Sequence, residues 1–136
     1  ILCNRISFGT TKINLFSVHL STYQDESVLA AKEMNRIIRK IDPSELIIMG
    51  GDFNVGVTRL GKGKYTYEES ESYEEYEILK KQLEKLPNEK DTWFSDLGNG
   101  CIDTIFYSKG IRLNKYETIE ANGASDHNAV FAEFDI

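Results

Sequence analysis

The sequence predicts an α/β or α+β fold, a mixed β-sheet with flanking helices, on three observations. An almost continuously apolar stretch at residues 13–20 (INLFSVHL) has the β-branched and aromatic composition of a central strand buried on both faces. An amphipathic helical stripe follows, then a short apolar run at residues 46–49 (LIIM), which is the strand–helix–strand order of a βαβ unit. The rest of the chain reads mostly as strands separated by glycine turns, which makes the sheet mixed.

Taken in order, residues 1–8 form a first strand, turned by Gly9, Thr10 and Thr11 into a hairpin with the second. Asp25 and Ser27 offer helix-capping groups, and Ala30, Met34, Ile37, Ile38 and Ile41 recur at helical spacing until Pro43 closes the helix. The strand at 46–49 runs into Gly50, Gly51, Asp52, Phe53 and Asn54, where a βαβ unit carries its functional residues. Residues 55–72 are rich in glycine, lysine and glutamate and read as a surface loop. Ser72 and Glu75 resemble a capping box for a helix whose stripe is Tyr73, Tyr76, Leu79, Leu83 and Leu86, with Glu77 placed to pair with Lys81 and Pro87 as its end. Strands are expected at 91–94, 102–108, 111–119 and 128–136, with turns at 98–100, Gly110 and Gly123.

Among the 136 residues, 40% are hydrophobic and 28% charged, as in a folded globular chain, and no apolar run is long enough to span a bilayer. Sixteen Lys and Arg against 22 Asp and Glu leave a net charge of -6, which disfavours broad attraction to a polyanion and tilts the reading towards small substrates. The acidic cluster at 68–77 is expected to be a solvated face. Cys3 and Cys101 form no CxxC or zinc pattern and are expected to be buried, reduced thiols. The chain opens on Ile1, directly into a strand, and is expected to begin inside a longer protein.

Four strand ends carry polar residues that a fold has no need of there: His19 after LFSV, Asp52 and Asn54 after LIIMGG, Asp103 within GCIDTIFYS, and Asp126 with His127 before NAVFAEF. Singly, each has a structural explanation, such as a hydrogen-bonded core histidine for His19 or turn residues for Asp52, Asn54, Asp126 and His127. Together, three carboxylates, an amide and two histidines are the equipment for metal-assisted attack of water on a phosphoester. Carboxylates suit Mg²⁺ or Mn²⁺, a base must orient the water, and hydrogen-bonding groups must hold the phosphoryl oxygens. Ser125 makes no triad with its neighbours Asp126 and His127.

The order SVHLS, GGDFN, IDTIF and SDH before a terminal strand resembles the second half of the endonuclease/exonuclease/phosphatase superfamily, with deoxyribonuclease I-like folds. The resemblance implies half of a four-layer sandwich, residues 1–136 being the C-terminal portion of one domain. It also implies roles. Asp52 would orient or deprotonate the attacking water, and Asn54 would bind the phosphate or a metal-bound oxygen. His127, oriented by Asp103, would stabilise the phosphorane or protonate the leaving group. His19 would contact the scissile phosphate, and Asp126, Asp52 and Asn54 would serve a Mg²⁺ or Mn²⁺. The superfamily's first half supplies a further asparagine and the principal metal-ligand glutamate, so this portion alone is expected to bind metal weakly and turn over little. It is also expected to expose an apolar sheet face to that N-terminal half or to a second copy of itself.

His19 in an HL string leans away from abasic-site endonucleases, and Ile102 and Thr104 around Asp103 lean away from inositol 5-phosphatases. Nucleic acid and small or lipid phosphodiesters both remain as substrates. A non-catalytic binding or assembly module on the same fold is the competing class, and a doubly wound nucleotide-binding domain lacks its GxGxxG or P-loop pattern here.

Overall fold

The computed structural model describes residues 1–70, 72–87 and 90–136; Glu71, within the expected loop and acidic cluster, lies outside them. The elements run β1 (Leu2–Phe8), β2 (Thr11–His19), α1 (Gln24–Ile38), β3 (Leu46–Asp52), β4 (Val57–Gly61), β5 (Lys64–Tyr67), α2 (Glu74–Lys80), β6 (Leu83–Lys85), β7 (Trp93–Ser95), β8 (Gly98–Gly100), β9 (Asp103–Ser108), β10 (Arg112–Ile119) and β11 (Ala129–Asp135). The main sheet has the order β1-β2-β3-β9-β6, parallel between β2 and β3 and antiparallel at its other pairings. It is a mixed sheet, as the sequence predicts, with β2-α1-β3 as its parallel unit.

Side chains alternate between the two faces of a strand, so register assigns each residue to a face. Phe16, Val18, Met49 and Phe106 share one face and pack under α1 and α2, where Ala31, Met34, Ile38, Tyr76 and Leu79 complete the main core. Burying side chains of this size contributes about 1.5–3 kcal/mol each. On the opposite face, Leu46, Ile105 and Tyr107 are covered by the β10–β11 hairpin through Leu113, Val130, Ala132 and Phe134. That hairpin leaves the β1 side of this face open. Leu2, Ile6 and Phe8 are exposed there, in register with Ser17, Ile13 and Thr11 of β2. Strand β2 is buried on both faces at Ile13 and Asn14, but towards its C-terminal end it is closed by helices on one side only, with Ser17 and His19 exposed.

Several sequence expectations are corrected. Helix α1 begins at Gln24 with Tyr23 as its N-cap and no side-chain cap; Ser27 lies within the first turn, where its hydroxyl contacts Gln24 O and Glu75 Oε1. The buried stripe is Ser27, Val28, Ala31, Met34 and Ile38, which leaves Ile37 exposed, and the helix ends well before Pro43. Residues 57–67 are a hairpin, β4–β5, not an irregular loop. Helix α2 starts after Tyr73 without the Ser72 capping box and stops at Lys80, because Leu83 leaves it to form the edge strand β6 beside β9. Glu77 consequently pairs with Lys80, 2.8 Å away, rather than with Lys81. The turn expected at 98–100 is strand β8, paired with β7. Cys3 is exposed and Cys101 half-buried; neither is in a disulfide. Glu75, within the acidic cluster, is buried rather than solvated. Among the described residues no helix is long and apolar enough to cross a membrane.

Candidate active site

Register brings the first three candidate residues into a row. His19 is the Cα partner of Asp52 across β2 and β3, and Asp52 is the partner of Asp103 across β3 and β9. All three project from the face away from the helices. His19 Nε2 stands 3.6 Å from Asp52 Oδ2, and its side chain is 78% exposed, so it is no core histidine. Gly51 makes this approach possible: its φ is +145°, and a Cβ on it would lie 2.0 Å from the Val18 carbonyl oxygen. Any L-residue would force β2 and β3 apart where His19 meets Asp52.

The turn after β3 is anchored by its middle residue. Phe53 is fully buried, against Phe106 and Tyr76, so Asp52 and Asn54 are held on either side of a core plug. Asn54 adopts φ 50°, a left-handed conformation that asparagine tolerates. Its backbone N–H donates to Asp52 Oδ1 at 2.8 Å, and its Nδ2 donates to Asp52 Oδ2 at 3.1 Å and to the Leu20 carbonyl at 2.9 Å. Two acceptors facing Nδ2 fix the orientation of the amide. Its remaining polar atom, Oδ1, can only accept.

The second half of the site is held by Thr92. Its side-chain oxygen accepts the backbone N–H groups of Ile102 and Asp103, at 3.0 and 2.9 Å, and its carbonyl accepts that of Asn128 at 2.7 Å. Trp93 forms a bridge with His127. One threonine thus ties the start of β9 to the segment before β11, and Asp103 Oδ2 meets His127 Nδ1 at 2.8 Å. An imidazole bonded to a carboxylate through Nδ1 carries its proton there, which leaves Nε2 as the nitrogen for chemistry.

Burial raises the pKa of Asp52 above the ordinary aspartate range, and the charge of Asp103 adds to the rise. The Asn54 N–H, His127 and His19 oppose it without cancelling it. A half-desolvated carboxylate with a raised pKa is a stronger base than an exposed one.

Asp126 is placed differently. It is exposed and borders a concavity of about 520 Å³ with Lys64, Tyr65, Trp93 and Phe94, while its backbone carbonyl accepts the Phe94 N–H. Among the described residues, no three of His, Cys, Asp and Glu are gathered closely enough to hold a metal ion by themselves. The donor chemistry nevertheless fits a hard divalent cation. Asp52 is a carboxylate under repulsion from Asp103, which a cation would relieve. Mg²⁺ is commonly held by one or two carboxylates, with waters and substrate phosphates completing its shell.

Residue typing in the sequence misses Thr92, the Leu20 carbonyl and Gly51 as builders of the site. Only the paired glycines before Asp52 carried a visible signal. Thr92 reads as any strand threonine until its three hydrogen bonds are seen.

A mixed sheet backed by helices on one face is the fold of deoxyribonuclease I-like proteins. The chain belongs to the endonuclease/exonuclease/phosphatase superfamily, and the model of its endonuclease-reverse transcriptase family matches residues 13–131. No curated protein matches it significantly. Among solved structures, it is similar to TDP2 of D. rerio complexed with single strand DNA product, with TM-score 0.72 and 15% identity over 98% of this chain and 60% of that one. It is also similar to the endonuclease domain of TRAS1, a telomere-specific non-LTR retrotransposon (TM-score 0.70, 18% identity, 99% and 63% covered). A third is an endonuclease/exonuclease/phosphatase family protein from Leptotrichia buccalis C-1013-b (TM-score 0.61, 20% identity, 97% and 52% covered). At these identities the likeness shows the fold, and the chain spans between about half and two thirds of the length of each.

Proposed function

We propose that residues 1–136 are the C-terminal portion of one endonuclease/exonuclease/phosphatase domain, and that the whole is a Mg²⁺- or Mn²⁺-dependent hydrolase of nucleic acid phosphodiesters. The observation that carries this reading is the pair of contacts across one site: Asp52 with His19 on one side, and the Asp103–His127 hydrogen bond on the other. The family match and the DNA-bound neighbour support nucleic acid over a small diester. The open β1 side of the sheet supports an N-terminal portion seated on it.

Asp52 orients the attacking water and takes its proton, a task suited to its raised pKa. His127 acts as the imidazolium: Nδ1–H is held by Asp103, and Nε2–H donates to the phosphoryl group and passes its proton to the leaving oxygen as that oxygen's bond to phosphorus breaks, leaving a neutral imidazole. His19 contacts the phosphate from the opposite end of the row. Asn54 fixes Asp52 through two donated hydrogen bonds, and its Oδ1 is an acceptor, which directs it towards a cation or its shell and not towards a phosphate oxygen. Asp52 and Asn54 are the residues that would hold the metal, and Asp126, on the neighbouring concavity, would serve it through the waters of its shell. When bound, it would neutralise the charge that builds on the phosphoryl oxygens.

The test is hydrolysis of bis-p-nitrophenyl phosphate and of DNA by the full-length protein with Mg²⁺ or Mn²⁺, against its Asp52→Ala and His127→Ala variants. Activity that each substitution lowers at least about a hundredfold is expected. A full-length protein inert on both substrates with either metal would overturn the reading in favour of a binding module.

A further inference from the structure

The β4–β5 hairpin lies beside the site and carries a charge that runs against that of the chain. From Val55 to Tyr67 there is no Asp or Glu, while Arg59, Lys62 and Lys64 supply three cations in a protein of net charge -6. The hairpin also borders a concavity at each side. Through Arg59 it lines a cavity of about 420 Å³ that includes Asn54, and through Lys64 and Tyr65 it lines the concavity that includes Asp126. Each concavity therefore joins a candidate active-site residue to one hairpin cation, with further carboxylates in the lining, Glu68, Glu74 and Glu75 beside Arg59 and Asp96 beside Lys64.

The base of the hairpin is fixed. Val57 packs with Trp93 and Ile102, and Tyr65 and Tyr67 lie against that cluster. Tyr67 sits so tightly over Gly100 that a Cβ there would fall 2.3 Å from its ring. The tip turns at Lys62, with φ 46°, so the cations are carried on a ribbon anchored to β8. Exposed rings stand on both sides: Tyr23, whose hydroxyl accepts a hydrogen bond from Arg59 Nη1 at 3.4 Å, and Phe94 in the far concavity.

We propose that the β4–β5 hairpin holds the phosphodiester backbone of a single strand of nucleic acid on either side of the scissile phosphate, with Tyr23 and Phe94 as stacking platforms for its bases. Cations that follow a backbone, interleaved with exposed aromatic faces, are the chemistry that single strands require. The exposed wall of the Asn54 cavity suits a base better than an acyl chain, because Thr22, Gln24 and Ser70 offer polar groups and Glu68 and Glu74 offer acceptors to a base's amino edge. Leu60, exposed at the tip, is the feature that would suit a lipid surface. This assignment rests on the phosphodiesterase reading for its scissile phosphate, but binding can be read without turnover.

The experiment measures fluorescence anisotropy of a labelled mixed-sequence 12-nucleotide DNA strand with the full-length protein in EDTA. Wild type is compared with Arg59→Gln/Lys62→Asn/Lys64→Gln, and with Arg59→Lys/Lys62→Arg/Lys64→Arg, which keeps all three charges. Neutralisation is expected to weaken binding about tenfold or more and to lower the slope of log affinity against log salt by about 2, at roughly 0.7 for each phosphate left without its cation. The charge-conserving variant is expected to bind as wild type does, which shows that the loss follows charge and not folding. Equal affinities for wild type and the neutralised variant would overturn the proposal. So would hairpin-dependent binding to phosphatidylserine vesicles with no binding to the strand. A protein that binds the strand through the hairpin but hydrolyses no phosphodiester would leave this proposal standing and remove the hydrolase reading instead.

Discussion

At Asp52, stability and the proposed role as base pull in opposite directions. Its carboxylate is raised above the ordinary aspartate pKa, first by burial and then by Asp103. The folded state therefore binds the proton more tightly than the unfolded state. The stability this contributes is complete below the unfolded aspartate value and is lost as pH rises through the folded one. Asp52→Asn has no such loss, so in chelator its stability relative to wild type is expected to increase as pH rises from the ordinary aspartate range towards neutrality. Urea denaturation at a series of pH values measures this, and a difference that stays constant with pH would refute the assignment of a raised pKa. His19 shows the same tension differently: a strand histidine left 78% exposed adds nothing to the core, and its position has meaning only beside Asp52.

At the scale of the elements, the site depends on short connections that carry little sequence signal. The β7–β8 ribbon and the segment before β11 are joined through Thr92, whose single side-chain oxygen satisfies two backbone N–H groups at the start of β9. Thr92→Val preserves shape and leaves both donors unpaired in a site where Thr92 itself is 1% exposed. A loss of about 2 kcal/mol in chemical denaturation is expected. Thr92→Ser, which keeps the oxygen but not the methyl, is expected to recover most of it, and a Thr92→Val variant as stable as wild type would mean that the two hydrogen bonds contribute nothing. Element ends were also where pattern reading strayed. The apolar spacing of Leu79, Leu83 and Leu86 fits a helix, yet Leu83 is taken up by β9 as a strand partner, because an unpaired sheet edge offers backbone hydrogen bonds that one more helical turn does not outweigh.

Across the whole molecule, the two faces of the main sheet are unequal. Helices close one face over β2, β3 and β9, whereas the other is covered only as far as the β10–β11 hairpin reaches, and Leu2, Ile6 and Phe8 stand exposed on edge strand β1. The 136-residue chain produced alone is expected to self-associate through this face in light scattering, and Ile6→Asp/Phe8→Asp to be monomeric. A wild-type chain that remains monomeric and folded at tens of micromolar, as about the range where such patches cause association, would count against a second sheet layer seated there.

Much of this protein was legible in its residues. The βαβ order of β2, α1 and β3 follows from apolar periodicity, and the four motif-bearing strand ends from polar residues placed where a core has no use for them. Both are local signals, written within a few residues of one another. What only the tertiary structure decided is non-local. The register that sets His19, Asp52 and Asp103 in one row depends on how three strands separated by up to 84 positions pair. The hydrogen bonds of Thr92 and the anchoring of the basic β4–β5 hairpin against Gly100 likewise join parts of the chain that the sequence keeps apart. Side-chain type and spacing record which residues a site uses, but their mutual geometry comes from backbone pairing, and pairing is a property of the assembled sheet.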